Sequence, residues 1–358
     1  MIQHDTLIEN ENTRETADNI VEVREATVAF DMERGISTVL DHVNIDIRRG
    51  EILGIVGESG SGKSMLASSM LDAVDDPGTT TGKITYYTTD GETLDILNLS
   101  KEELKQTVRW EEISMVFQGA MSSFNPTMTI RGHFEETLDA HNVNETDGME
   151  QAYELLSELH LEEDRVLDSY PHELSGGMKQ RALIALSLVL EPELLILDEP
   201  TASLDLLMQR SIIRLLDKLR VEYDLTLVFI THDLPLVTEC SDRIAVMYGF
   251  EFVERGATTD ILSEAAHPYT RALLAATPNL NTSYEEMRPI EGSSPDPVNV
   301  PSGCSYHPRC PLADETCQIE DPPYYEIGDD HHTACFHWED AADAVPLAID
   351  EYQEDTQQ

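Results

Sequence analysis

Apolar residues in this chain fall into two kinds of short run. Early on they alternate with polar ones. Val21-Glu22-Val23 and Val43-Asn44-Ile45-Asp46-Ile47 put every second side chain on one face, the period of a half-buried strand. Lys83 to Tyr87 and Thr93 to Leu97 read as a further hairpin. Elsewhere the runs are nearly continuous: Ile52 to Val56, Leu194-Leu195-Ile196-Leu197 and Leu225 to Ile230. Such runs predict parallel strands covered on both faces. Met65 to Leu71 suits a helix, and residues 130–172 are helix-rich. Within them, Gln151 to His160 places Tyr153, Leu155, Leu156 and Leu159 on one side. Residues 173–260 alternate helix with buried strand. After Gly256 the pattern changes, and 278–335 hold most of the late prolines and four of the five cysteines. Residues 1–19 are polar and unpatterned and read as a disordered tail, and 339–358 as an acidic tail. No internal repeat is present, so the reading is one α/β module with one appended segment.

Composition sharpens this picture. A length of 358 residues with 41% hydrophobic content is enough for real cores. The charge is extreme, 69 Asp+Glu against 23 Lys+Arg, a formal net of −46, and the acids run along the whole chain. Such a surface repels itself in dilute buffer, whereas at about 1 M salt the Debye length is about 3 Å and the repulsion is screened. We read a cytoplasmic protein of a halophile; an acidic mesophilic protein is the alternative, and the scarcity of lysine weighs against it. The same charge argues against nucleic acid as the main partner. The longest strong apolar run, Ala182 to Leu190, stops at Glu191-Pro192. The N-terminus has neither a basic region nor an apolar one, so neither secretion nor a membrane span is expected.

The most informative stretch is Gly57-Glu58-Ser59-Gly60-Ser61-Gly62-Lys63-Ser64, which reads G-x-x-x-x-G-K-S between a predicted strand and a predicted helix. Glycines let successive N–H groups point inward around phosphate oxygens, and the following helix adds its positive end. Lys63 is expected at the β- and γ-phosphates and the Ser64 hydroxyl at Mg²⁺. A Gly/Ser-rich turn that binds nothing is the alternative, and the flanking strand and helix weigh against it. Downstream, Leu194 to Leu197 ends in Asp198-Glu199-Pro200. Asp198 at the strand end suits Mg²⁺, and Glu199 suits a general base on the attacking water.

Leu174-Ser175-Gly176-Gly177-Met178-Lys179-Gln180-Arg181, opening a long apolar helix, is where the chain resembles the ATP-binding cassette (ABC) family. The resemblance implies an α/β fold: an ABC-type P-loop NTPase with a RecA-like core, an antiparallel β subdomain and a helical subdomain at about 119–175. It implies that Ser175, Gly176 and Gly177 complete the ATP site of an opposite cassette. It also implies that Gln118 contacts Mg²⁺ and the lytic water, that Ser203-Leu204-Asp205 crosses the dimer, and that His232 contacts the γ-phosphate. Phe30 is the choice for the aromatic against adenine, or else a core residue of the first strand.

A closer resemblance rests on Val116-Phe117-Gln118 with Phe124-Asn125-Pro126, on Pro171-His172-Glu173 before the signature, and on His267-Pro268-Tyr269-Thr270-Arg271. The tail adds Pro301-Ser302-Gly303-Cys304, His307-Pro308-Arg309-Cys310-Pro311, Cys317 and His332-Thr333-Ala334-Cys335. These strings look like the ATPase subunits of oligopeptide/dipeptide (peptide/nickel) importers. Gly119 and Gly249-Phe250-Glu251-Phe252 depart from that pattern without removing a catalytic group. Halophilic archaeal origin is expected from the charge. The implied division is an ATPase domain over 20–260 and an importer-type extension over 261–338.

Cys304, Cys310, Cys317 and Cys335, spaced C-x5-C-x6-C-x17-C, do not suit structural disulfides in a cytoplasmic protein. Four thiolates suit a tetrahedral metal or an iron–sulfur cluster, and the spacing does not decide between them. The resemblance favours a [4Fe–4S] cluster, with Zn²⁺ or four free thiols as alternatives. His307, His331, His332 and His337 read as loop and tail residues and Cys240 as a core residue. Partners implied are a second cassette, identical or homologous, two transmembrane permease subunits and, indirectly, an extracytoplasmic substrate-binding protein, at the cytoplasmic face of the membrane. The rival readings are a nickel or other small-solute importer, a soluble ABC ATPase acting on DNA or ribosomes, and a non-hydrolysing cassette. About 110 residues separate Ser64 from Ser175 without a heptad run, which argues against a repair-type cassette.

Overall fold

The computed structural model describes residues 19–119, 123–202, 204–276 and 290–347. The expected tail before Asn19, Ser203, and the acidic tail from residue 348 lie outside the described residues.

Two sheets organise the chain. Strands β1 (Asn19–Met32), β2 (Gly35–Arg48), β4 (Gly78–Tyr87) and β5 (Thr93–Asp95) form an antiparallel sheet in the order β2-β1-β4-β5. Strands β3 (Ile52–Val56), β6 (Ile113–Val116), β7 (Leu194–Asp198), β8 (Thr226–Thr231) and β9 (Arg243–Tyr248) belong to an eight-stranded sheet. In it β3 pairs in parallel with β8 and β9, and β7 in parallel with β6 and β8. The chain beyond adds β10 (Glu251–Ala257), β11 (Tyr325–Gly328) and β12 (His331–Thr333) antiparallel at one edge.

The apolar runs explain the layers. In β3, Ile52 and Val56 join a core with Leu195, Leu197, Leu227, Phe229, Ile244 and Val246. The alternate residues Leu53 and Ile55 join Leu194, Ile196, Val228 and Ile230 against Val23, Val28, Ile45 and Ile47 of the antiparallel sheet. Each central strand is thus apolar on both faces and presents no alternation. The β1–β2 pair has one covered face, so there the alternation survives.

Helix α1 (Lys63–Ser69) follows the phosphate loop, starting two residues before the apolar run that predicts it. Helices α2 (Ile130–Ala140), α3 (Glu145–Glu158) and α4 (Glu163–Asp168) form the expected helical region. Of the side chains expected to share a face there, Leu155, Leu156 and Leu159 are fully buried and Tyr153 is half-buried. Helix α5 (Gly176–Leu188) is buried almost throughout, and α6 (Leu206–Glu222), α7 (Leu234–Thr238), α8 (Thr258–Ser263) and α9 (Pro268–Ala275) complete this half.

Three features of the C-terminal part differ from expectation. The large sheet continues across the expected boundary at residue 260, because β12 of the extension pairs with β10, Glu254 opposite Thr333. Residues 339–347 are packed: helix α11 (Ala341–Ala344), after α10 (Glu315–Ile319), carries a fully buried Ala341, and Arg271 donates to the Val345 carbonyl at 2.7 Å. His331 is no loop residue. It lies in β12, almost wholly buried, with Nε2 2.9 Å from Oε1 of the fully buried Glu254. Glu254 also accepts from the backbone N–H of Ala266 at 2.6 Å and of His267 at 3.0 Å. An acid in such a place needs all three donors. Hydrophobic periodicity registers none of this, because the groups are polar and lie far apart in sequence.

Candidate functional site

The phosphate loop is shaped by backbone that only glycine tolerates well. Gly57 has φ +154°, and a Cβ there would lie 2.2 Å from the Met247 carbonyl oxygen. Gly62, left-handed at φ +107°, precedes α1, and a Cβ there would meet the Val39 carbonyl oxygen at 2.6 Å. Sterics therefore require glycine at both positions. Lys63 is buried, and its Nζ donates to the carbonyls of Gly57 and Glu58, each at 2.8 Å, and to Ser61 Oγ at 3.3 Å. Burial holds its pKa below the usual lysine value, against the pull of Glu199, Asp198 and Glu58.

A cavity of about 220 Å³ opens beside this loop, lined by Val39, Ser59, Gly60, Gly62, Lys63, Ser64, Met65, Gln118 and Glu199. Most of the residues expected at the phosphates thus converge. Val39 and Met65 were not anticipated, since an apolar residue carries no chemical signal. Asp198 ends β7 and is buried. Burial pushes its carboxyl up, Glu199 adding to this, while the Ser64 hydroxyl bonded to it pulls the other way. Its Oδ1 has no hydrogen-bond partner. A buried carboxylate oxygen left open beside a serine hydroxyl, with a glutamine on the same cavity, is an all-oxygen donor set that fits a hard divalent cation such as Mg²⁺.

Glu199 sits in the left-handed region at φ +49°, a conformation that costs an L residue energy and is kept by its surroundings. Its backbone N–H donates to the Ile230 carbonyl at 2.9 Å. The ring Nδ1 of the exposed His232 lies 2.9 Å from Glu199 Oε1. The ends of β7 and β8 thereby set acid and histidine side by side, and the carboxylate can accept a proton from water while the ring holds its orientation.

The signature residues lie elsewhere on the chain. Ser175 caps α5, accepting from Met178 N–H at 3.4 Å, and neither it nor Gly176 or Gly177 lines the cavity. Gly177 packs under α6, where a Cβ would come 2.3 Å from Met208 Cε. Asp205 caps α6, its Oδ1 accepting from the N–H groups of Leu207 and Met208, each at 3.1 Å. The next two side chains, Leu206 and Leu207, are 60% and 80% exposed, a bare apolar start to a helix. Phe30 is half-buried on β1, its ring against Gly78, and does not line the cavity.

The four late cysteines come together in the extension. The Cys304 N–H donates to the Cys317 carbonyl at 2.9 Å, and the thiols disfavour one another's ionisation. Burial, first of all, pushes Cys304 and Cys335 up to about 12. No three of the four sulfurs approach within 4.8 Å of one another. A different trio, Asp314, Cys317 and His337, does lie within that distance, with His337 Nε2 3.2 Å from Asp314 Oδ2, so His337 is more than a tail residue. Cys240 packs against the core as expected, its pKa raised to about 12 by burial.

Comparison with known proteins decides the family. The ABC transporter profile matches residues 40–202, and the profile of the oligopeptide/dipeptide transporter C-terminal region matches residues 253–317. A dipeptide transport ATP-binding protein, DppD, of Caldanaerobacter subterraneus subsp. tengcongensis is 40% identical over 324 residues, covering 90% of this chain and 98% of the relative. This chain belongs to the ATP-binding proteins of the oligopeptide/dipeptide ABC transporter family. The oligopeptide transport ATP-binding protein OppD of Escherichia coli K12 is 38% identical over 325 residues, covering 90% of this chain and 94% of the relative. Among solved structures, the dimeric ABC transporter cassette MJ0796 aligns with a TM-score of 0.57 at 30% identity, covering 66% of this chain and 98% of that one. The same cassette is known in a post-hydrolysis state bound to ADP and Pi, with the same TM-score and identity. The chain is an ABC ATPase, and among the described residues no helix is long and apolar enough to cross a membrane.

Proposed function

We propose that this family member is the ATP-hydrolysing subunit that energises import of di- and oligopeptides, working at the cytoplasmic face of the membrane. The observation that carries the reading is the convergence of Lys63, Ser64, Gln118, Asp198 and the Glu199–His232 pair in a chain that also bears the peptide-transporter C-terminal region. Ser64, Asp198 and Gln118 would hold Mg²⁺, which when bound neutralises charge on the phosphate oxygens. The loop from Gly57 to Ser64 cradles the phosphates, and Lys63 leaves its two carbonyls to meet them. Glu199 takes the proton of the attacking water, and His232 orients Glu199 and reaches toward the γ-phosphate. Phe30 serves the adenine from the end of β1. Ser175, Gly176, Gly177 and Asp205 do not line this chain's own cavity, and Leu206-Leu207 is exposed; both support a sandwich with a second cassette whose site they complete. Two permease subunits and, through them, an extracytoplasmic binding protein complete the assembly, with no role for nucleic acid. In membranes reconstituted with those subunits, peptide-loaded binding protein should stimulate ATP hydrolysis. Stimulation by nickel alone would move the chain to the small-solute importers.

Two finer readings have their own tests. The four cysteines gathered in the extension, Cys317 and Cys335 buried and Cys304 and Cys310 half-buried, support a [4Fe–4S] cluster on Cys304, Cys310, Cys317 and Cys335. No three of their sulfurs lie within 4.8 Å of one another, whereas four ligands about 2.3 Å from one zinc would all stand roughly 3.8 Å apart. Protein purified without oxygen should be brown and hold about four irons per chain, whereas about one zinc would point to a single-ion site. The net charge of −46 supports a protein adapted to molar salt, from a halophilic archaeon. Dilution from about 1 M to about 0.1 M salt lengthens the Debye length from about 3 to about 10 Å, so the melting temperature should fall steeply. A salt-independent melting curve would contradict that adaptation.

A further inference from the structure

The extension reaches the phosphate loop through one side chain. Arg309, from the His307-Pro308-Arg309-Cys310 string, donates to both carboxylate oxygens of Glu58, from Nη1 to Oε2 at 2.9 Å and from Nη2 to Oε1 at 3.0 Å. Its remaining donors are also taken. Nε gives to the Glu291 carbonyl at 2.7 Å, Nη1 to Tyr248 Oη at 3.2 Å and Nη2 to the Ile290 carbonyl at 3.4 Å. A guanidinium has five N–H donors, and here each one has an acceptor. The group stacks over the rings of Tyr248 and Tyr306 and is 7% exposed. In a chain this acidic, most arginines have carboxylates within reach at the surface; this one is buried and saturated.

Glu58 is the residue after Gly57, inside the loop. Its backbone N–H donates to Tyr269 Oη at 2.9 Å, its carbonyl accepts from Lys63 Nζ at 2.8 Å, and its carboxylate accepts from Ser294 Oγ as well as Arg309. The extension and α9 thus hold the N–H and the side chain, leaving only the carbonyl to Lys63. Lys63 is also among the cations that stabilise the Glu58 carboxylate. Were Arg309 lost, Lys63 would be the cation left to act on the half-buried carboxylate. The lysine would then be drawn back from the phosphates.

We infer that Arg309 is a positioning residue for ATP: by occupying the Glu58 carboxylate from the extension, it fixes the phosphate loop and leaves Lys63 available for the nucleotide. The inference deepens the ATPase reading without depending on the transported solute or on any metal at the cysteines.

The test is a cycle in the full chain, read by equilibrium ATP binding and by KM and kcat. Arg309→Gln should weaken ATP binding about tenfold, seen in KM with kcat changed less than about twofold, because uniform binding is what is lost. Arg309→Lys keeps a cation on Glu58 and should stay within about threefold of the native KM, although it cannot fill five acceptors and should melt earlier. In a Glu58→Gln background, Arg309→Gln should cost less than about twofold, since no carboxylate remains to capture Lys63. A native KM in Arg309→Gln, an equal loss for Gln and Lys, or the same loss with and without the Glu58 carboxylate would each overturn the proposal. The Lys-against-Gln comparison holds even if a bulkier truncation fails to fold. The expected pattern in equilibrium ATP binding, with no hydrolysis in the native protein, would instead count against the ATPase reading alone.

Discussion

The phosphate loop and the C-terminal extension meet at Glu58, and they are built by opposite means. The loop is local: eight consecutive residues whose glycines shape the backbone and whose lysine bonds to carbonyls five and six residues before it. The extension is assembled from contacts spanning the chain. Arg309 reaches back 251 positions to Glu58, Ser294 reaches 236, and His331 reaches 77 to Glu254. Chemistry carried by spacing can be recognised from a string. Chemistry carried by tertiary pairing shows itself only when the strands are in register.

That difference accounts for what the sequence revealed. The two strand patterns, the loop and the Asp198-Glu199 pair were legible because each is short and carries its own backbone logic, whereas His232 was named only through the family resemblance. Tyr269 and Arg309 were visible only as parts of family strings and Ser294 not at all, since a tyrosine, serine or arginine says by itself nothing of what it touches. Glu254 gave no signal at all: one acid among 69, it stands out only as the one acid at zero exposure among the described residues, with three donors aimed at it. The division at residue 260 failed to anticipate β12 in the main sheet because three residues, His331–Thr333, are too few for a periodic pattern.

If the loop is a backbone device, one methyl group should break it. Gly57→Ala would force a Cβ to 2.2 Å from a carbonyl oxygen. Relief costs on the order of 2–3 kcal/mol, so ATP affinity should fall roughly a hundredfold, read by nucleotide titration. If the extension is a pairing device, removing one acid should loosen it without touching the loop sequence. Glu254→Ala leaves a buried histidine and two N–H groups unpaired and should destabilise the protein by roughly 3–5 kcal/mol, read from denaturant midpoints.

An effect confined to acid pH follows from His267, whose Nδ1 accepts the Tyr269 N–H at 3.0 Å and whose pKa burial lowers to about 4. The folded state binds its proton less readily than the unfolded state, whose value is near 6.5. This contribution to stability is therefore fully present above about pH 6.5 and is lost as pH falls toward 4, up to about 3 kcal/mol. His267→Asn keeps an acceptor for the Tyr269 N–H and should flatten that part of the pH–stability curve. The smallest effect is a control within the loop. Gly60 is left-handed at φ +83° but faces open space, so Gly60→Ala should cost only about 1 kcal/mol of strain, far less than Gly57→Ala. Equal losses at the two glycines would mean that the tight approach to Met247 is not what shapes the loop.

The central claim is that Glu199, set by the ends of β7 and β8 and oriented by His232, is the base of an ATP-hydrolysing cassette that works as a dimer. Glu199→Gln tests it most directly, because the amide keeps the shape and loses the basicity. In the assembled complex this variant should bind ATP, lose hydrolysis by roughly a hundredfold or more, and hold the two cassettes together in the presence of ATP. Turnover at the native rate, or ATP binding without any closure of the pair, would contradict the account.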